Sequence, residues 1–169
     1  MNWTKLLEAE VETTYAATDG LMKLAAKLPL DWKPATGSNW MTTGQLLHHC
    51  TNACGHCCRG FMTGDWGMPK DATMEDMLPT AERMPTVKSA TEARKLLAAD
   101  KKVALAMITK AGEKALATKM VGAPWNPEKR ELGRQFLHMV MHLASHKSQL
   151  FYYVKLQGAP VHTGHLWGM

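Results

Sequence analysis

The sequence predicts an all-α protein, a four-helix bundle with one long crossover connection between its second and third helices. Apolar residues recur at spacings of three and four in four separate stretches of the 169-residue chain. Glycine and proline cluster between those stretches, and no run of alternating β-branched residues predicts a strand. Because each amphipathic helix must bury its apolar face, four such helices are expected to pack as a bundle.

The length and composition predict one domain over residues 1–169, since 46% hydrophobic residues can build a core. Lysine and arginine number 20 against 15 acidic residues, but they are scattered, which favours a solvated surface over a nucleic-acid groove. The first residues lack the apolar segment of a signal peptide, and no stretch is apolar enough to span a bilayer. We therefore expect a cytoplasmic protein without nucleic-acid or membrane partners.

The first two helices are separated by a connector rich in turn-forming residues. Helix one is expected over Trp3–Leu28, where the helical spacing of apolar residues ends just before a proline. The connector, residues 31–39, contains proline, glycine and asparagine. Thr42 and Gln45 have the spacing of a capping box, so helix two should begin there and run to about Thr63.

A long crossing segment with one short helix is expected before helix three. Glycines and prolines interrupt the helical pattern over residues 64–86. Ser89 and Glu92 then form a second capping-box candidate, which predicts helix three from that point to about Leu116.

The last helix is expected after a loop at Val121–Pro127. From Lys129 to Gln157 the chain has no proline, and its apolar residues supply a wide buried face. Gly158 and Pro160 are expected to end this helix.

Three histidines of helix four, His138, His142 and His146, are spaced four residues apart. Side chains at this spacing share a helix face, so two imidazoles one turn apart can chelate one divalent metal ion. His138 and His146 are about 12 Å apart along the axis, too far to share an ion comfortably. The pair is therefore His138 with His142 or His142 with His146, and histidines that merely pack in the bundle are the alternative.

A site with two histidines needs completion from a facing helix, and helix two offers His48, His49 and His56. Neighbouring positions on a helix point about 100° apart, so only one of His48 and His49 can face the interior well. The apolar residues around them do not decide which one.

All four cysteines, Cys50, Cys54, Cys57 and Cys58, lie in the same short stretch of helix two. Their spacing places them on one stripe, and cysteine is among the most buried residue types, so a reduced core stripe is favoured. The spacing also matches a radical-SAM iron–sulfur loop, but that loop follows a strand of a larger barrel. Contact between Cys50 and the metal ion is a lesser alternative.

Two segments and the ending of helix four resemble the DinB-like family of the DinB and thiol S-transferase-like superfamily. Ser38–His49 resembles its Trp-Ser-x-Gly-Glu-Leu-x-x-His segment, with Gly44-Gln45 at the Gly-Glu positions and His49 at the histidine. His142–Leu150 resembles its His-Glu-x-x-His-x-Gly-Gln-Leu helix, and Leu156–Val161 is similar to its usual ending. The resemblance spans nearly the whole chain.

The resemblance implies a four-helix bundle, often a homodimer, in which His49, His142 and His146 hold a divalent metal ion in an open pocket. Zinc or nickel is favoured because imidazole suits both, with iron and manganese as further candidates. Relatives include thiol S-transferases and maleylpyruvate isomerase-like enzymes that use low-molecular-weight thiols. A metal-dependent transferase or hydrolase acting on a small molecule is therefore implied, with the metal activating a thiol or water.

Three positions depart from the family pattern. Leu143 and Gln45 stand where glutamate is common, and Ser148 stands where glycine is common. Leu143 weakens a mechanism that needs a carboxylate beside His142 but leaves the metal site intact. The alternative function is a non-catalytic metal-binding or stress-response interaction protein. Gln149 is a candidate hydrogen-bond partner for a metal ligand.

Overall fold

The computed structural model describes residues 2–69 and 71–169. Most of these residues are helical, which confirms the helical class predicted from the sequence. Six α-helices form in chain order: α1 Trp3–Leu24, α2 Thr43–Cys50, α3 Gly55–Thr63, α4 Met74–Met77, α5 Ala90–Thr118 and α6 Leu132–Leu156. Short 3-10 helices lie after α1 at Ala25–Lys27, between α4 and α5 at Ala81–Arg83, and after α6 at Thr163–Leu166. A β-hairpin joins α5 to α6.

Both helix starts predicted from capping-box spacing are present, with the complete box at Thr42 but only the hydroxyl cap at Ser89, where the Glu92 carboxylate accepts from the Lys88 N–H instead. The Thr42 hydroxyl accepts from the Gln45 backbone N–H at 3.2 Å, and the Gln45 side-chain oxygen accepts from the Thr42 N–H at 2.7 Å. At α5, the Ser89 hydroxyl accepts from the Glu92 N–H at 3.0 Å. These bonds satisfy backbone donors that have no partner inside the first turn.

The predicted second helix, expected to run to Thr63, is in fact two helices. α2 ends at Cys50, and α3 begins after a turn, where the Asp100 carboxylate of α5 accepts from the Gly55 and His56 N–H groups at 2.9 and 2.8 Å. The single-helix prediction was wrong because a carboxylate from a distant helix supplies the cap for a new helix start. A Cβ on Gly55 would lie 2.1 Å from the Asp100 backbone oxygen, so only glycine fits there.

The predicted loop at 121–127 is an antiparallel hairpin, β1 Met120–Ala123 with β2 Asn126–Glu131. Its second strand is almost entirely polar and contains a proline, so it has none of the apolar alternation that signals a strand. The Gln135 amide donates to the Val121 carbonyl oxygen at 3.1 Å and ties the hairpin to α6. Helix α6 consequently begins at Leu132 rather than Lys129.

One core joins the long helices, with α1 packed along α5 and α6, α2 against α6, and α3 against α5. Its largest fully buried side chains are Leu7, Leu21 and Met22 of α1, Leu46 and Leu47 of α2, Leu97, Ile108 and Leu116 of α5, and Leu132, Phe136, Leu143 and Leu150 of α6. Burial of each such side chain contributes about 1.5–3 kcal/mol. Within the described part, none of the helices combines the length and the apolar character that a membrane span requires.

The cysteine stripe lies in this core, as predicted. Cys50, Cys54 and Cys58 are buried, Cys57 is half-buried, and all four are free thiols. Burial raises the pKa of the Cys50 and Cys57 thiols to about 12, which keeps both protonated at neutral pH.

Candidate metal centre

Three histidines from two helices converge on one point between α2 and α6. The Nε2 atom of His49 lies 3.3 Å from that of His142 and 2.9 Å from that of His146, and the last two are 2.9 Å apart. Among the described residues, these three form the one group of histidine, cysteine or acidic side chains whose geometry could hold a metal ion.

The convergence follows from the antiparallel packing of α2 and α6. Tyr153 donates to the Met41 carbonyl oxygen at 2.9 Å, whereas at the other end His142 contacts the Ala53 carbonyl oxygen. The single turn of helix between His142 and His146 places both imidazoles on the face that meets α2. His49 then faces them from the last turn of α2.

The Nδ1 atom of each α6 imidazole, in His142 and in His146, contacts an oxygen that can accept a hydrogen bond. His142 Nδ1 lies 3.0 Å from the Ala53 carbonyl oxygen, and His146 Nδ1 lies 2.7 Å from the Gln149 side-chain oxygen. Because an oxygen can only accept here, both Nδ1 atoms carry the proton. The two Nε2 atoms are therefore unprotonated and face each other at 2.9 Å with their lone pairs.

The spacing and chemistry of this donor set fit one divalent ion. Nitrogens bound to an ion at about 2.0–2.1 Å lie about 2.8–3.4 Å apart, for ligand angles between octahedral and tetrahedral. The three observed separations, 2.9, 2.9 and 3.3 Å, fall in that interval. Hydrogen bonds from ligand imidazoles to carbonyl or amide oxygens are the usual support of such a site.

The electrostatics keep the three imidazoles neutral, the form that binds metal. Burial, with a smaller contribution from the neighbouring histidines, lowers the pKa of His49 to about 3. Burial also lowers the pKa of His142 and His146, although their hydrogen bonds to Ala53 and Gln149 act in the opposite direction. At neutral pH none of the three rings therefore carries the positive charge that would oppose binding of a metal ion.

A family model described as the DinB superfamily matches residues 10–150. This chain belongs to the DinB superfamily. The matched segment contains His49, His142 and His146. No curated protein and no solved structure shows a significant match to the chain.

The structure of this DinB-superfamily chain separates the histidines that the sequence left as alternatives. His138 lies one turn before His142 and is not part of the converging group. His48 lines a different cleft, and His56 contacts the Trp66 carbonyl oxygen at 3.1 Å. Cys50 is likewise outside the group, within the residues the structure describes.

The residues around the triad include contacts that the sequence predicted and others that it missed. The Gln149 side-chain oxygen lies 2.7 Å from His146 Nδ1, a contact of the kind for which the sequence made Gln149 a candidate. Tyr153 is buried and bonded to a backbone carbonyl, while Tyr152 is exposed. The Ala53 carbonyl was missed, because a backbone oxygen carries no residue-type signal and its position depends on the break between α2 and α3.

That break is held by a second polar cluster inside the core. The Tyr15 hydroxyl donates to the Asp100 carboxylate at 2.6 Å, and the same carboxylate caps α3 through Gly55 and His56. Burial raises the pKa of Asp100 despite these hydrogen bonds, and burial together with the neighbouring acids raises that of Tyr15. This cluster fixes the turn that presents the Ala53 carbonyl oxygen to the triad.

Proposed function

We propose that this DinB-superfamily protein binds one divalent metal ion, zinc or nickel, through His49, His142 and His146. The observation that carries the proposal is the 2.9 Å separation of the Nε2 atoms of His142 and His146, whose Nδ1 atoms both contact oxygen acceptors. Two lone pairs at that distance repel unless they share a cation or a proton, and His49 can donate a proton to at most one of them. A divalent ion satisfies all three nitrogens at once.

We further propose that the chain forms a single four-helix bundle of the DinB type, with the segment between α3 and α5 as its crossover. The α2 and α3 helices together would make one of the four bundle positions. Support comes from the packing of α1 on α5 and α6, of α2 on α6 and of α3 on α5. In this arrangement the triad lies between facing helices, where bundle metal sites are commonly built.

The reaction that we propose is metal-dependent transfer of a low-molecular-weight thiol to a small electrophile. A divalent ion held by three neutral imidazoles supplies positive charge that lowers the pKa of a coordinated thiol or water. The chain itself keeps the imidazoles neutral and oriented through Ala53 and Gln149. The buried Leu143 supplies no carboxylate next to His142, which favours the thiol over water because a thiol loses its proton more readily.

The test is conjugation of cysteine or glutathione to chlorodinitrobenzene by protein made without a polyhistidine tag. The expected result is turnover that a chelator abolishes, that added zinc or nickel restores, and that His142→Ala eliminates. His138→Ala is the matched control on the same helix and should retain the wild-type rate. Tight metal binding with no turnover for any thiol would instead indicate a non-catalytic metal-binding protein.

A further inference from the structure

A second polar site lies on the side of α2 and α3 that faces α5. It is a cleft of about 280 Å³ that does not include the histidine triad. Its lining residues are His48, Thr51, Asn52, His56, Arg59, Leu96, Ala99, Asp100 and Val103. We propose that this cleft binds a small organic carboxylate with an apolar body, a ligand that the metal site does not require.

The guanidinium of Arg59 is the anchor of the proposed site. One of its terminal nitrogens donates to His56 Nδ1 at 3.3 Å, and the other ring nitrogen of His56 donates to the Trp66 carbonyl oxygen at 3.1 Å. The Nε–H of Arg59 is buried and has no hydrogen-bond partner among the described residues. Because protein atoms cover Nε, a ligand in the cleft would meet the terminal nitrogens of the guanidinium rather than Nε.

Arg59 also has no counter-ion from the chain. No carboxylate lies within 4.0 Å of its guanidinium in the part of the chain that the structure describes. Asp100 is the acid among the lining residues, and its oxygens already accept from Tyr15, Gly55 and His56. A carboxylate ligand bound in the cleft would supply the negative counter-charge that Arg59 lacks.

Two further side chains of the same wall have unused hydrogen-bonding capacity. Neither the His48 ring nor the Asn52 amide makes a side-chain hydrogen bond among the described residues, whereas the Thr51 hydroxyl donates to the His48 carbonyl oxygen. His48 and Asn52 are four residues apart across the end of α2, on the same side as Arg59. This wall therefore offers several donors to an oxygen-rich head group.

The opposite wall of the cleft is apolar. Leu96, Ala99 and Val103 of α5 are spaced by three and four residues and form one stripe, with Leu96 39% exposed. One polar wall facing one apolar wall suits a ligand with a charged head and a hydrocarbon body. The volume is just below the range of about 300–1,000 Å³ typical of ligand pockets, which limits the ligand to a small molecule.

The test uses benzoate and hexanoate as probes, with benzamide and inorganic phosphate as comparisons, in titration calorimetry on the full-length metal-loaded protein. Wild-type protein should bind both carboxylates and discriminate against benzamide. Arg59→Gln should weaken benzoate binding by at least about tenfold, because a charged hydrogen bond to the head group is lost. Ala99→Leu, which narrows the cleft from its apolar wall without touching Arg59, should weaken it as well.

The controls distinguish benzoate binding in this cleft from a non-specific effect of positive charge and from binding at the metal centre. Arg134→Gln removes a positive charge from an exposed position on α6 and should leave benzoate affinity unchanged. His142→Ala should also leave it unchanged, so failure of the metal proposal and failure of this one are distinguishable. Absence of carboxylate binding, equal binding of benzamide or phosphate alone, or equal weakening by Arg134→Gln would overturn the proposal.

Discussion

Two polar clusters adjoin the apolar core, a buried one around Asp100 and the half-buried histidine triad, and they differ in whether their hydrogen bonds are complete. Around Asp100, one carboxylate receives donors from Tyr15, Gly55 and His56, so acceptor and donors satisfy each other. In the histidine triad, three neutral rings point nitrogens at each other, and the Nε2 atoms of the two α6 histidines carry no proton to share. The complete cluster stabilises the fold, whereas the incomplete one could hold a metal ion.

The two clusters should differ most in how they affect the free energy of unfolding when metal-free protein is acidified. The pKa of His49 is about 3 in the folded chain, below the value of 6.5 in the unfolded chain, and the pKa values of His142 and His146 are also lowered. The folded state therefore binds fewer protons, so the free energy of unfolding is highest above pH 6.5 and falls as the pH drops toward 3. The check is urea unfolding across this interval, with His142→Asn expected to flatten the dependence.

A bound metal ion should oppose this loss until protons displace it. Holo protein should be more stable than metal-free protein at pH 7, and the difference should shrink as the pH falls through the lowered pKa values of the triad, which reach about 3 at His49. A metal-free protein whose stability rises on acidification over the same interval would contradict the assignment of three neutral imidazoles.

Breaking the complete cluster should destabilise the fold whether or not metal is present. In Asp100→Asn, the amide N–H₂ cannot accept from the donors that now bond the carboxylate, so at least one buried donor loses its partner. We expect a loss of about 3 kcal/mol in unfolding free energy. Urea unfolding with and without chelator measures it, and Asp31→Asn, an exposed change, is the control.

Gln149→Ala should affect the histidine triad and leave the Asp100 cluster unchanged. Loss of the 2.7 Å contact to His146 Nδ1 frees that ring to rotate and to change tautomer. Metal affinity should fall by about 10- to 100-fold, as for other residues that orient metal ligands. Competition with a chromogenic chelator measures the affinity. Gln149→Glu, which keeps an acceptor, should restore it, and Ser145→Ala, exposed on the same helix, should have no effect.

The smallest effect is expected for Tyr15→Phe. It removes one of the donors to Asp100 and leaves the two backbone donors in place, at a cost of about 1 kcal/mol. Thermal unfolding measures this change, with Tyr152→Phe as the exposed control. A loss as large as that of Asp100→Asn would mean that the hydroxyl, rather than the α3 cap, holds the cluster together.

The parts of the fold that the sequence predicted well have local causes. The caps at Thr42 and Ser89 mark helix starts because each hydroxyl accepts from a backbone N–H three residues later in the chain. The spacing of His142 and His146 likewise places both on one face without knowledge of the rest of the chain. Each of these features depends on the periodicity of a single helix.

The parts that the sequence did not predict depend on distant residues. The break between α2 and α3 depends on Asp100, which is 45 residues from Gly55 along the chain. The second strand of the hairpin is polar and lacks an apolar pattern of its own, and the hairpin is tied to α6 through Gln135. The choice of His49 over His48 rested on family resemblance. The rotation of about 100° between neighbouring helix positions shows only that the two side chains point in different directions.

Metal content of protein made without a polyhistidine tag tests the central claim most directly. Wild-type protein and the His138→Ala and His48→Ala variants should each contain one equivalent of a divalent metal, and His49→Ala and His142→Ala should contain none. Wild-type protein that neither contains nor takes up a divalent ion, or full metal content in His49→Ala, would contradict the assignment of the triad.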